Sequence, residues 1–176
     1  MILLYAEDNI GDQLLVREAL WEANVPCDLR FVNDGQELVN YLYRLGGYGE
    51  TNAPRPDVIL LDLNMPRKSG IEALLEIKGN PFLWDIPVIV LTSSEADADV
   101  ARAYEAGATA YTKKPATFSR LVRMMEAFGR WWGTVELPSS ARAWSSEVRL
   151  VASPDLLRES EDRSPVTERQ CQTLVG

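Results

Sequence analysis

Five short apolar runs punctuate the chain, each bounded by polar or turn residues. They are Ile2-Leu3-Leu4-Tyr5-Ala6, Leu29 with Phe31-Val32, Val58-Ile59-Leu60-Leu61, Val88-Ile89-Val90-Leu91 and Ala110-Tyr111-Thr112. A continuous run such as Val58 to Leu61 suits a strand buried on both faces, as in a parallel sheet. The segments between the runs have helical spacing instead. Leu14, Leu15, Ala19 and Leu20 form a stripe that Asn24 and Pro26 stop. Asn33-Asp34-Gly35 reads as a turn and helix start, followed by Leu38, Val39, Leu42, Tyr43 and Leu45. A Gly/Pro-rich loop runs from Gly46 to Pro56. Ile71, Leu74, Leu75 and Ile77 mark a third helix that Asn80-Pro81 ends. Ser94 to Ala106 reads as an Ala-rich helix closed by Gly107 at the C′ position. Phe118, Leu121, Val122, Met125 and Phe128 mark a fifth helix. Strand and helix alternate throughout. This predicts an α/β, doubly wound parallel sheet with helices on both faces.

Four of the runs end in residues that fit one chemical site. Glu7-Asp8, Asp62, Thr92 and Lys113-Lys114-Pro115 each follow a strand. In an open α/β sheet, ligands bind at the carboxyl edge of the strands. Three carboxylates, a hydroxyl and an ammonium there would suit a divalent cation and a phosphoryl group. Each feature also has a plainer reading. Glu7-Asp8 alone is a solvated turn, Asp62 a cap, and Thr92-Ser93-Ser94 an N-cap cluster. Lys114-Pro115 alone is a surface turn, and Tyr111 a core residue. Joint placement at successive strand ends is what lifts the set above these readings.

Bulk composition narrows the classes. The 176 residues suffice for one domain with a real core. The net charge of −8 argues against broad nucleic-acid binding. No apolar run approaches the roughly 20 residues of a membrane helix. Asp8, Asp12 and Glu18 interrupt any apolar leader. Cys27 and Cys171 carry no bridge signal, so a cytoplasmic setting is expected. The chain has no histidine. That excludes a Ser-His-Asp triad, a His-ligated zinc and an intramolecular phosphohistidine. The composition changes after Trp132, and Ser139 to Gly176 mixes Arg with Asp/Glu, Ser and Pro. The expected division is a domain over 1–138 and a poorly ordered tail over 139–176, too short for an output domain.

From Ile2 to about Trp132 the chain resembles the receiver domain of two-component response regulators. The resemblance rests on Glu7-Asp8, Asp62, the Asn64-Met65-Pro66…Gly70 loop, Thr92, and Tyr111 followed by Lys114-Pro115. It implies a flavodoxin-like receiver fold with strand order 2-1-3-4-5. It implies Asp62 as phosphoacceptor, and Mg2+ held by Asp8, by Glu7 mainly through water, by Asp62 and by the Asn64 carbonyl. Thr92 and Lys114 would bind phosphoryl oxygens, and Tyr111 would turn inward on activation. Lys114 rather than Lys113 takes the role because it directly precedes Pro115. Ser93 departs from the alanine frequent in the family and borders phosphoryl access. The long loop over 46–55, Pro66-Arg67-Lys68, Asn80-Pro81 and Trp131-Trp132…Leu137-Pro138 further resemble single-domain regulators paired with bacterial phytochrome kinases.

The implied function is a signalling switch rather than an enzyme, with self-dephosphorylation as its only turnover. Its partner would be a sensor histidine kinase, a bacteriophytochrome by the narrower resemblance. Output would pass through protein contact, including a homodimer on the face of the fourth and fifth helices with the fifth strand, near Ala106, Tyr111, Phe128 and Trp131. Two alternatives stand beside it. One is a Mg2+-dependent aspartyl-phosphate phosphohydrolase, weakened by Asn64 where a second Asp is wanted. The other is a pseudo-receiver that binds partners without phosphorylation, against which the complete acceptor set argues.

Overall fold

The apolar runs become five parallel strands. The computed structural model describes residues 1–94 and 96–135. The strands are β1 (Ile2–Ala6), β2 (Asp28–Val32), β3 (Val58–Leu61), β4 (Val88–Thr92) and β5 (Ala110–Lys113). The central β1, β3 and β4 are buried almost throughout and the edge strands β2 and β5 only in part. The helices are α1 (Ile10–Glu22), α2 (Gly35–Tyr43), α3 (Gly70–Gly79), α4 (Asp97–Glu105) and α5 (Phe118–Trp132). The sheet order is β2-β1-β3-β4-β5, the doubly wound arrangement expected. β1 and β3 pair with Leu3 opposite Val58 and Ala6 opposite Leu61.

Strand alternation divides the core. Leu3, Tyr5, Val58, Leu60, Ile89 and Leu91 face α1 and α5. Leu4, Ala6, Ile59, Leu61 and Val88 face the other side, where Leu38, Leu42, Leu74 and Ile77 of α2 and α3 cover them. Leu63, Val90 and Ala103 form a smaller cluster under α4.

Helix starts and stops follow their local signals. Asp34 caps α2 by accepting the Glu37 N–H at 2.8 Å. Ser69 and Glu72 form a capping box on α3. Gly107 sits at φ +94 just past α4. The Ala108 N–H reaches the Ala103 carbonyl and the Gly107 N–H reaches that of Tyr104. Both bonds of the expected left-handed C-terminal cap are therefore made.

Two helices depart from expectation, α1 in the face it buries and α4 in where it starts. On α1 the buried residues are Gln13, Val16, Ala19 and Leu20, while Leu14 and Leu15 are exposed. Gln13 is drawn inward because its side-chain amide donates to the Glu7 carbonyl at 2.6 Å and to Asn33 at 3.2 Å. At this end of the helix Gln13 and Val16 therefore take the inward positions, while Ala19 and Leu20 are buried as expected. α4 begins at Asp97 rather than Ser94, with Ala96 at its cap position and no side-chain cap. The Thr92-Ser93-Ser94 cluster does not cap it directly. Thr92 ends β4 fully buried, and Ser94 donates to the Asp99 carboxylate at 2.5 Å. On α3 and α5 the outer members of the stripes, Leu75 and Phe118, are exposed.

Of the residues named for a dimer face, Ala106 is buried and Tyr111 and Phe128 are partly buried. Trp131 is exposed, and so is Tyr104 on α4. The boundary at 138, the tail over 139–176 and Cys171 lie outside the described residues. Among those described, no helix is long and apolar enough to cross a membrane.

Candidate functional site

The strand ladders continue one residue past the strand ends, and this brings the site together. The Glu7 N–H donates to the Val32 carbonyl at 3.0 Å, and the Asp62 N–H to that of Ala6 at 3.0 Å. The Lys114 N–H donates to the Thr92 carbonyl at 2.8 Å. Backbone pairing thus sets Glu7, Asp62, Thr92 and Lys114 along one edge of the sheet. Glu7 is 1% exposed and Asp62 5%, whereas Asp8 is exposed.

Glu7, Asp8 and Asp62 each offer a carboxylate oxygen, and these oxygens lie within 4.8 Å of one another. The Lys114 ammonium donates to Glu7 at 2.6 Å, to Asp12 at 2.7 Å and to Asp62 at 3.3 Å. Asp62 Oδ1 also accepts the Leu63 N–H at 2.7 Å. Glu7 is held from two more directions, by the Tyr5 hydroxyl at 2.7 Å and the Asn9 N–H at 3.1 Å. Lys113 is exposed at the end of β5, and Lys114 is the lysine among the carboxylates.

Three carboxylates thus accept from one ammonium, and Asp8 stands beside two of them. Burial pushes the Glu7 carboxyl up, against the hydrogen bonds from Lys114 and Tyr5 that pull it down. Burial works against the Lys114 charge too, but the bonds to Asp12 and Glu7 and the Asp62 charge outweigh it and hold that amine above the usual lysine range. The Lys114 shift reflects the surplus of carboxylates around its ammonium. Hard carboxylate donors with surplus negative charge fit a divalent cation such as Mg2+ or Mn2+.

The loop after Asp62 is fixed by contacts that only glycine permits. A Cβ on Gly70 would lie 2.2 Å from the Asp62 carbonyl oxygen. The Gly70 N–H donates to the Leu63 carbonyl at 3.0 Å. Across the loop, a Cβ on Gly35 would lie 2.4 Å from the Lys68 carbonyl oxygen, and the Arg67 guanidinium pairs with Asp34. Asn64 is exposed between these tethers, two residues past Asp62.

Thr92 and Tyr111 meet through Ser94. Thr92 Oγ1 accepts the Ser94 N–H at 3.4 Å, and the Ser94 carbonyl accepts the Tyr111 hydroxyl at 3.1 Å. Of the sequence-predicted site residues, Glu7, Asp8, Asp62, Asn64, Thr92 and Lys114 lie on this edge or on the loops beside it, and Tyr111, inside β5, reaches it through its hydroxyl bond to Ser94. Asp12 and Tyr5 were not among those predicted. Asp12 stands in the first turn of α1, just past the Asn9 cap, and the helix start is what aims it at the pocket. Tyr5 gave only an apolar signal.

The family model for the response regulator receiver domain matches residues 3–126. The response regulator Rcp1 of Synechocystis sp. is 39% identical over 140 residues, covering 79% of this chain and 94% of its own. The crystal structure of the Mn(2+)-bound form of Rcp1 superposes with a TM-score of 0.71 at 40% identity, over 78% of this chain and 99% of that one. The phosphorylated cyanobacterial phytochrome response regulator RcpA gives a TM-score of 0.72 at 40% identity, over 78% and 98%.

Proposed function

Because this chain belongs to the response regulator receiver domain family, we propose that it is a phosphorylation-dependent switch in which Asp62 accepts a phosphoryl group from the phosphohistidine of a sensor histidine kinase. The convergence of Glu7, Asp8, Asp62 and Lys114 at the carboxyl edge of the sheet carries this reading. An Asp62 oxygen bonds to phosphorus as the bond from phosphorus to the kinase imidazole breaks, and the imidazole keeps the electron pair. Glu7 (mainly through water), Asp8, Asp62 and the Asn64 carbonyl would hold Mg2+, which when bound would offset the repulsion between the carboxylate and the incoming phosphoryl group. Lys114 neutralises a further oxygen as a compact cation. The protein's part is positioning and charge stabilisation rather than covalent chemistry of its own.

Thr92 is the second donor to the phosphoryl group. Its hydroxyl lies beside the Ser94 N–H, and the Ser94 carbonyl holds the Tyr111 hydroxyl. Turning Thr92 toward a phosphoryl oxygen draws on the segment that anchors Tyr111, so the phosphorylated state favours a different Tyr111 position. The output is a contact made by the α4-β5-α5 face, including a homodimer, with Tyr104 and Trp131 as its exposed aromatics. The kinship with Rcp1 and with the phytochrome response regulator RcpA supports a bacteriophytochrome as the kinase, acting in the cytoplasm.

The lifetime of the aspartyl phosphate tests this reading against its alternatives. A labelled protein whose phosphate persists and passes from a kinase supports the switch. Rapid turnover of an added phosphomonoester would make it a phosphohydrolase, and no labelling would make it a pseudo-receiver. Within the switch, Thr92→Ala is expected to bind beryllofluoride, a phosphoryl mimic, yet to leave the Tyr111 ring resonances near their unliganded positions. If those resonances move as far as in the wild type, Thr92 is not the transmitter.

A further inference from the structure

We infer that Asp12 is a positioning residue for Lys114: it holds the ammonium on the α1 side of the pocket in the unphosphorylated protein, competes for it with the phosphoryl oxygens, and so opposes switching. The inference rests on Asp62 being the phosphoacceptor.

A lysine ammonium has three donors and no more. Here all three are committed, to Glu7 at 2.6 Å, Asp12 at 2.7 Å and Asp62 at 3.3 Å. Lys114 can donate to a phosphoryl oxygen only by releasing one of them. Glu7 and Asp62 belong to the carboxylate trio that suits a cation, and Asp12 stands outside it. Their exposures differ as well. The Glu7 and Asp62 side chains are 1% and 7% exposed, whereas that of Asp12 is 33% exposed. An uncompensated buried carboxylate is costly, while one that water reaches gives up its partner cheaply. Asp12 is therefore the partner that lets go.

Its placement does not depend on the pocket. The Asp12 N–H donates to the Asn9 cap oxygen at 3.2 Å, so the first turn of α1 fixes where the carboxylate stands. Beside it a cleft lined by Tyr5, Leu15, Leu91 and Pro115 opens next to both Asp12 and Lys114. The plainer role for Asp12 is a favourable charge near the positive end of the α1 dipole. That role predicts an effect on stability and none that passes through Lys114.

The test titrates beryllofluoride into the full chain with saturating Mg2+, read by 19F NMR. The proteins are wild type, Asp12→Asn, Asp12→Glu, Lys114→Met and the Asp12→Asn/Lys114→Met double variant. Asp12→Asn is expected to bind about tenfold more tightly, within the range usual for coupled sites. Asp12→Glu, which keeps the charge, should return toward wild type. The Asp12→Asn gain should vanish in the Lys114→Met background. A second readout uses Mg2+-free protein: the Lys114 13Cε resonance should move in Asp12→Asn and hardly at all in Asp12→Glu. Unchanged or weaker binding by Asp12→Asn would overturn the inference. So would an equal gain without Lys114, which would be simple charge repulsion between Asp12 and the anion. Failure of the wild type to bind beryllofluoride would overturn the phosphoacceptor reading itself, an outcome distinct from wild-type binding with an inert Asp12.

Discussion

Asp8→Asn is expected to lower Mg2+ affinity by on the order of 100-fold, the upper end of what losing even an outer partner of a metal site does. The substitution keeps the shape of the side chain and removes one charge. Glu7, Asp8 and Asp62 offer oxygens within 4.8 Å of one another, and Asp8 is the member that solvent reaches. A small, hard cation therefore enters past Asp8. Without metal the same trio repels itself, and Lys114 offsets only part of that repulsion because Asp12 shares it. Asp8→Asn should therefore be at least as thermally stable as wild type in a chelator and should gain less stability on adding Mg2+. Calorimetric titration measures the affinity, and thermal melts with and without Mg2+ measure the linkage. Equal Mg2+ affinity in the two proteins would remove Asp8 from the site.

Gly70→Ala should destabilise the fold by about 3 kcal/mol, the upper part of the range for overpacking. The new Cβ would stand 2.2 Å from the Asp62 carbonyl oxygen and 2.7 Å from the Leu63 Cα. Both are backbone atoms, so relief must come from moving the segment that carries Asp62 or the start of α3. Phosphoacceptor geometry and stability should therefore fall together. Gly79→Ala is the matched control. Nothing lies within 4 Å of its Cβ, and it closes α3. It should be neutral or stabilising by up to about 1 kcal/mol. Urea unfolding of both variants decides the matter. Equal midpoints would mean that the loop after Asp62 has slack that the packing does not suggest.

The strands were the legible part of the fold, and the reason is physical. A strand covered on both faces must be apolar at every position, so Val58–Leu61 stands out without any periodicity argument. Helix existence was legible for a similar reason, and the closing of α4 at Gly107 followed from local backbone chemistry. The face of α1 was not. An apolar count favoured Leu14 and Leu15, but Gln13 turns inward to bond the Glu7 carbonyl, a contact that hydrophobicity does not register. At the site, strand-end placement made Glu7, Asp8, Asp62, Thr92 and Lys114 visible, because a parallel sheet collects its carboxyl ends at one edge. Asp12 was not legible in this way. Its partner is 102 residues away, and an acidic residue in a first helical turn already has a sufficient local explanation. Ala106 was legible as the end of the fourth helix, but its burial depends on how α4 packs.

One covalent event, phosphorylation of Asp62, underlies the proposed switch. Incubate the full chain with acetyl phosphate and Mg2+, record the intact mass, and map the modified residue after borohydride trapping. The expected result is a single phosphoryl adduct on Asp62, absent in Asp62→Asn and absent when Mg2+ is chelated. An adduct that persists in Asp62→Asn, or an unmodified wild-type protein under the same conditions, would contradict it.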